Sequence, residues 1–394
     1  MMYKLSRPIY LDNNATTALD PEVLQSMMPY LTHDYGNASS VSHAFGWKAL
    51  EAVNRARKLI STAINATSPS DIIFTSGATE SINLAITTLQ HKNKKGHVIT
   101  SMIEHKAVLD SCAKLESMGI EVTYLQPQND GVISPDSIYR ALRDNTYLVS
   151  IMTANNEIGS IQKIEEIGAI CKERDIIFHT DATQALGKIE FDVQRMNISL
   201  ASFSAHKIYG PKGVGALYIN SSDKNMHLSP LIVGGGHERG LRSGTLNVPG
   251  IVGFARAVEL SMNSLTSESQ RLSSLRNLLR QYIIENVDDI RVNSHMTECL
   301  PGLLNVSFER IDADSLLLEL SDIALSSGSA CTSAKRAPSH VLKAIGVSDE
   351  QAQASVRFGL GRFNNEDEIQ HVCLRLKEAV SKLRSMVPKS FSSQ

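Results

Sequence analysis

Five groups of residues in the 394-residue chain are of types that chemistry could use. The first is Ser202-Phe203-Ser204-Ala205-His206-Lys207, running on into a Gly/Pro turn that carries Lys212. A lysine directly after an apolar strand is poorly placed as a surface charge, and desolvated amines serve as Schiff-base nucleophiles. Ser204 and His206 beside it can donate hydrogen bonds to an anion such as phosphate. Lys212 competes with Lys207 for the amine role, and a solvated loop lysine is the plainer reading of either. The second is Asp181-Ala182-Thr183-Gln184, again at the end of an apolar run. A lysine paired with a carboxylate is what pyridoxal phosphate (PLP) requires, the amine for its aldehyde and the carboxylate to keep its ring nitrogen protonated. Alternatively Asp181 only caps a following helix.

The third stretch, Thr75-Ser76-Gly77-Ala78-Thr79-Glu80, reads as a strand-to-helix turn. Its backbone N–H groups would suit a phosphate, and it is neither a P-loop nor a dinucleotide fingerprint. The fourth comprises His105 and the Asn155-Asn156-Glu157 triplet, each just past a strand-like run. His105 is suited to stack on a flat cofactor and to move protons, although a lone histidine is commonly structural. The last is Ser326-Ser327-Gly328-Ser329-Ala330-Cys331-Thr332-Ser333, one thiol among small polar residues. That is the composition of an exposed loop, and it points to a reactive cysteine.

These stretches need a scaffold that brings them together. Apolar β-rich runs at 71–75, 97–101, 121–125, 147–153, 176–180, 200–204 and 215–219 alternate with helical patterns at 81–89, 135–143 and 164–174. The alternation predicts an α/β domain with a mainly parallel seven-stranded sheet, whose ligands collect at the carboxyl ends of the strands. After the glycine-rich 234–240 comes a helical pattern over 248–284, with the serines of 264–269 predicted to interrupt it. Strand 303–308, helix 313–320, helix 339–345, strand 355–359 and helix 366–386 complete a smaller α+β unit. The expected domains are 16–262, and 1–15 with 263–394. Segment 388–394 is expected to fray.

Composition narrows the class. The chain is 42% hydrophobic and 20% charged with net charge −2, so neither nucleic acid nor an anionic membrane is expected as a partner. No apolar run approaches a membrane span, and no signal or presequence pattern opens the chain, so a cytoplasmic enzyme is expected. Five cysteines (112, 171, 299, 331 and 373) lie far apart and suggest neither disulfides nor a zinc site; no metal is expected.

Together the motifs resemble the cysteine desulfurases of the NifS/IscS family, class-V aminotransferase-like PLP enzymes of fold type I. The likeness runs from Tyr10-Leu11-Asp12-Asn13-Asn14-Ala15-Thr16-Thr17 to Arg357-Phe358-Gly359-Leu360-Gly361-Arg362-Phe363. It includes Ser76-Gly77-Ala78-Thr79-Glu80-Ser81, Glu104-His105-Lys106 and Asn155-Asn156-Glu157-Ile158-Gly159, and the Cys331 segment looks like the family's longer catalytic loop. The resemblance implies that Lys207 bonds the cofactor, Asp181 pairs with the pyridine nitrogen, Gln184 donates to the ring oxygen and His105 stacks over the ring. It assigns the phosphate to Ala78, Thr79, Ser204 and His206, with Thr245 supplied by the neighbouring subunit of a homodimer. Asn156 and Arg357 would orient L-cysteine, and Cys331 would take its sulfur as a persulfide, leaving alanine. His105 would shuttle protons, and the persulfide would pass to iron–sulfur cluster assembly or another acceptor.

Two departures from the family pattern stand out. Gly36-Asn37-Ala38-Ser39 lacks the proline common there, and little chain follows Met386, which weakens the case for docking a cluster scaffold. A selenocysteine lyase or related sulfur-amino-acid lyase on the same scaffold is the alternative. A non-catalytic relative or an aminotransferase would leave the Cys331 segment without a role.

Overall fold

The computed structural model describes residues 8–90, 96–223, 226–295, 297–327 and 338–386. The chain enters through β1 (Ile9–Tyr10), α1 (Pro21–Thr32) and α2 (Ala44–Ala63). There follow β2 (Ile72–Thr75), α3 (Ala78–Thr87), β3 (His97–Ser101), α4 (Lys106–Ser117), β4 (Glu121–Leu125), α5 (Pro135–Ala141) and β5 (Thr146–Ser150). Next come α6 (Ile164–Glu173), β6 (Ile177–Asp181), β7 (Leu200–Ser204) and β8 (Gly215–Ile219). These strands form one seven-stranded sheet in the order β2-β8-β7-β6-β5-β3-β4. The expected α/β fold with a mainly parallel sheet is what the chain adopts.

The strands alternate their apolar side chains between two covered faces, as a pleat requires. Ile72, Phe74, Phe178, Phe203 and Tyr218 pack into the core on one face. Ile73, Val98, Leu148, Ile177 and Leu217 pack on the other, together with residues of α3 and α4. Parallel pairing from β7 through β4 aligns five carboxyl ends, at Ser204, Asp181, Ser150, Ser101 and Leu125. β8 runs antiparallel to both β7 and β2, and these two reversals return β2 to the common direction. The register sets Gly215 opposite both Thr75 and Ser204. A Cβ on Gly215 would lie 2.4 Å from the Phe203 carbonyl oxygen and 2.7 Å from Gly77 Cα. Only glycine there lets the turn after β2 close against the end of β7.

The rest of the chain comprises α7 (Val248–Asn286), β9 (Ile290–Val292), β10 (Leu303–Phe308), α8 (Ala313–Glu319), β11 (Ile323–Ala324) and β12 (Ser326–Ser327). It ends with α9 (His340–Ala344), α10 (Asp349–Gln353), β13 (Ser355–Gly359) and α11 (Glu366–Met386). A four-stranded sheet of order β12-β13-β10-β9 packs with α8 and α11 around a second core. β1 pairs with β11, so the N-terminal segment is tied to this unit before it crosses to the large sheet.

The predicted interruption of α7 at 264–269 is wrong. The helix is continuous over 39 residues, and the predicted domain change at residue 263 falls inside it. Serine weakens a helix only modestly, and Ser264 bonds back to the Leu260 carbonyl oxygen (2.9 Å) without breaking the ladder. The first half of α7 buries Ile251, Phe254 and Val258 in the large core, and the second half buries Leu275, Leu279 and Ile283 in the small one. Packing at both ends outweighs the local serine preference. Arg362, from the loop after β13, reinforces the junction through Asp20 (2.9 Å), Glu268 (3.0 Å) and Ser261 (3.1 Å). Among the described residues no helix is long and apolar enough to cross a membrane.

Candidate active site

A cavity of about 920 Å3 opens at the carboxyl edge of the large sheet, where the smaller unit closes over it. Its walls include His105, Asn156, Asp181, Gln184, Ser204, His206, Lys207 and Arg357, together with Ala78 and Thr79. Every described site residue assigned to one chain thus faces one space. Thr245 does not line the cavity of its own chain, and its expected place is the neighbouring subunit's site. Cys331 lies outside the described residues. Ser326 and Ser327 before its segment, and Pro338, Ser339 and His340 after it, all line the cavity.

Lys207 stands in a short 3-10 turn directly after β7. Its Nζ donates to the carbonyl oxygens of Asn14 (2.7 Å) and Ala15 (2.6 Å). Lys212, its rival from the sequence, also lines the cavity. Asp181 ends β6, 6% exposed, and its Oδ1 accepts from the Thr183 backbone N–H (2.9 Å). Thr183 Oγ1 lines the cavity beside it, buried and without a hydrogen-bond partner.

His105 is the N-cap of α4, and its Nδ1 accepts from the Ala107 N–H (3.1 Å). A neutral ring therefore carries its proton on Nε2. Burial pushes the His105 pKa down, opposed by the Asp181 carboxylate and aided by the Lys207 ammonium. His206 is pushed down to about 4, chiefly by burial and further by Lys207, Lys212 and Lys188, while its Nδ1 meets Thr16 Oγ1 at 3.1 Å. Both histidines thus enter neutral chemistry as uncharged rings.

The turn after β2 leads into α3, whose N-cap is Gly77, so no side chain satisfies the first-turn N–H groups. A Cβ on Gly77 would meet only Ser204 Oγ, at 3.9 Å, so the cradle between turn and strand is open. Glu80 is drawn out of it: its carboxylate accepts from the Ser76 N–H (2.7 Å) and from Arg242 Nε (2.9 Å).

Across the cavity Arg357, from β13, is 6% exposed. Its Nη1 donates to the Asn156 carbonyl oxygen (3.0 Å) and its Nη2 to Asp12 Oδ1 (2.7 Å), while the buried Nε has no partner. A guanidinium steered by Asp12 at the cavity wall has the chemistry to take a carboxylate. Asn155 has a different job from its neighbour Asn156. Fully buried, it spans the turn by accepting from the Glu157 and Ile158 N–H groups and donating to the Ile103 carbonyl oxygen.

Two buried acids, Glu157 and Glu104, stand in motifs quoted from the sequence but were given no role of their own there. Glu157 accepts from Ser339 Oγ (2.5 Å), and burial pushes it up to about 7 against the pull of Ser339 and Arg357. Glu104 is completely buried, with Oε1 bonded to Ser101 and Met152 and Oε2 unpartnered; burial pushes it up to about 8. Its folded pKa lies above the unfolded value, so the stability it lends is complete at acid pH and is lost as pH rises toward 8. Between pH 6 and 9 the apo wild type is expected to lose about 2 kcal/mol more stability than E104Q. Urea unfolding at both pH values measures this. Equal losses would mean that Glu104 is not carried protonated.

The family comparisons speak to this arrangement. The model of the class-V aminotransferases matches residues 9–372. A cysteine desulfurase IscS of Anaeromyxobacter dehalogenans is 51% identical over 383 residues, covering 97% of this chain and 94% of the relative. The chain belongs to the cysteine desulfurases of the class-V aminotransferase family. Among solved structures, one described as a NifS-like protein superposes with TM-score 0.88 at 38% identity, covering 95% of this chain and 100% of that one. Another, SspA in complex with cysteine, gives TM-score 0.80 at 43% identity over 89% of this chain and 98% of the other.

Cysteine desulfurases of this family use pyridoxal 5'-phosphate. The residues of this desulfurase fit that group. The uncapped start of α3 and the Ser204 hydroxyl make an anion cradle, and the amine of Lys207 and the carboxylate of Asp181 share the same walls. Thr183, whose buried Oγ1 has no hydrogen-bond partner, is a further polar residue of that wall.

Several participants escaped the sequence reading. Asp12 and the carbonyl oxygens of Asn14 and Ala15 act from the far end of the chain. The sequence marked them only as part of the motif at 10–17 that carries the family resemblance, without a role for any one of them.

Proposed function

We propose that this cysteine desulfurase takes sulfur from L-cysteine onto Cys331, releases L-alanine, and passes the persulfide to an acceptor that serves iron–sulfur cluster assembly. The observation that carries this reading is that both flanks of the Cys331 segment line the same cavity as Lys207, Asp181 and Arg357.

In this reading Ala78, Thr79, Ser204 and His206 hold the phosphate, joined by Thr245 of the neighbouring subunit. Asp181 pairs with the ring nitrogen, Gln184 faces the ring oxygen and Lys207 holds the aldehyde carbon. Bound there, pyridoxal phosphate supplies an electron sink for bonds around the amino acid's α-carbon. Arg357, steered by Asp12, grips the substrate carboxylate, and Asn156 borders it. The amine of Lys207, which would hold the cofactor in the resting enzyme, would when free be placed to take the α-proton of the substrate. His105 presents Nε2–H to the reacting atoms and moves a proton at the substrate sulfur or Cβ.

The Cys331 thiolate attacks the substrate sulfur and a new S–S bond forms as the Cβ–S bond breaks. The electron pair of the broken bond passes to the carbon side, where Cβ takes up a proton. The sum is cysteine plus enzyme thiol to alanine plus enzyme persulfide, with no external oxidant.

A homodimer suits the surface. Leu31, Tyr35, Val41, Phe45 and Trp47 are all exposed, and the Tyr35 and Phe45 rings lie 5.5 Å apart. An apolar patch of that kind is covered in a stable assembly. A cytoplasmic setting, where thiols stay reduced, suits the four described cysteines, all free and buried.

The test compares wild type with C331A, both loaded with cofactor, for alanine formed from L-cysteine with a reducing acceptor present. The mutant is expected to keep the cofactor's yellow colour and to lose turnover by roughly 100-fold or more. Full activity in C331A would rule out the persulfide route and favour a direct-releasing lyase.

A further inference from the structure

Behind the cavity wall lies a lysine that the roles above do not use. Lys188 is absent from the lining of the large cavity and borders instead a hollow of about 40 Å3 on the far side, shared with Asn14, Lys207 and Glu268. Its Nζ donates to Gln184 Oε1 at 2.6 Å, four residues back along the chain. Asn14 Nδ2 donates to the same oxygen at 3.2 Å, and Gln184 Nε2 donates to the Asn14 carbonyl oxygen at 2.9 Å.

These three bonds determine which way the Gln184 amide faces. Both acceptor directions of Oε1 are filled from behind, and one of the two Nε2 protons is spent on Asn14. Flipping the amide would set its NH2 group against the lysine amine and the Asn14 amide, donor against donor. Gln184, 4% exposed, can then show the cavity only an N–H.

We propose that Lys188 is a positioning residue of the cofactor site, which locks the Gln184 amide from behind so that Nε2–H faces the ring oxygen of the bound cofactor. The proposal rests on the reading of the cavity given above. Burial, with the like charges of Lys207 and Arg357, pushes Lys188 down to about 7, and Glu268 opposes the shift. As an ammonium Lys188 can only donate and the lock is complete; as a neutral amine it could also accept, and the two Asn14 bonds then hold the amide's orientation.

A hydrogen-bond donor at the ring oxygen favours its anionic form and makes the neighbouring nitrogen of the lysine–cofactor linkage less basic. An amide free to turn its oxygen inward does the opposite. The pH midpoint of the cofactor's visible absorbance band therefore reports on Lys188, independently of turnover.

The experiment titrates that band in holoenzyme of wild type, K188M and K188R. The K188M midpoint is expected to rise by about one pH unit, and K188R, which keeps a donor, to stay near wild type. In a Q184M background K188M should add no further shift. A K188M midpoint equal to wild type overturns the proposal, and so does an equal shift in the Q184M background, which would mean that charge alone acts. Should K188M fail to fold, K188A, whose vacated space adjoins the existing hollow, carries the same test. Wild type that binds no cofactor would instead refute the underlying reading of the cavity.

Discussion

Replacing Lys207 by alanine is expected to lower alanine formation from L-cysteine by roughly 1,000-fold or more. The variant should still bind the cofactor through its phosphate cradle, with an absorbance spectrum unlike that of wild type. Lys207 is the amine held at the cavity floor, its Nζ within 2.7 Å of the Asn14 and Ala15 carbonyl oxygens, and it follows β7 directly. Lys212 lines the same cavity but sits five residues further on, beyond the next turn. K207R keeps a charge there but not a nucleophilic amine, so arginine should not restore turnover. Activity of K207A within tenfold of wild type would place the chemistry elsewhere.

The second large effect is expected at Arg357. R357A should reduce kcat/KM for L-cysteine by about 100- to 1,000-fold, the loss of a buried bidentate charge pair. R357K should recover little of it, because an ammonium cannot reproduce the fork that Asp12 and the Asn156 carbonyl oxygen orient. The decisive control is cysteamine, which has cysteine's amine and thiol but no carboxylate. Wild type should discriminate strongly between the two and R357A hardly at all. Equal discrimination by both proteins would show that Arg357 does not read the carboxylate.

How much of this was legible in the sequence depends on the range of the interactions. The strands of the large sheet were plain because both of its faces are covered, so β5, β6 and β7 are buried at every position and carry apolar and small or uncharged side chains for most of their length. Their polar successors, Asp181 and Lys207, were visible for the same reason, since a charge just past a buried strand is conspicuous. The reversal of β8 was not legible, because an antiparallel neighbour buried on both faces has the same composition as a parallel one. Asp12 was hidden by distance. Its partner Arg357 lies at the other end of the chain, and no local pattern announces a pairing of that span. Glu104 was quoted with His105 as part of a motif but given no role, because nothing in the sequence reports that its carboxyl is wholly buried. The continuity of α7 was misjudged because local serine preference was weighed without the two cores that hold its ends.

The account stands on Lys207 being the residue that bonds the cofactor, and one measurement tests this directly. Holoenzyme reduced with borohydride, then digested and examined by mass spectrometry, retains the cofactor on the lysine it was bonded to. The account predicts a single pyridoxyl adduct on the peptide containing Lys207. An adduct on Lys212 or Lys188, or none on any lysine, would contradict it.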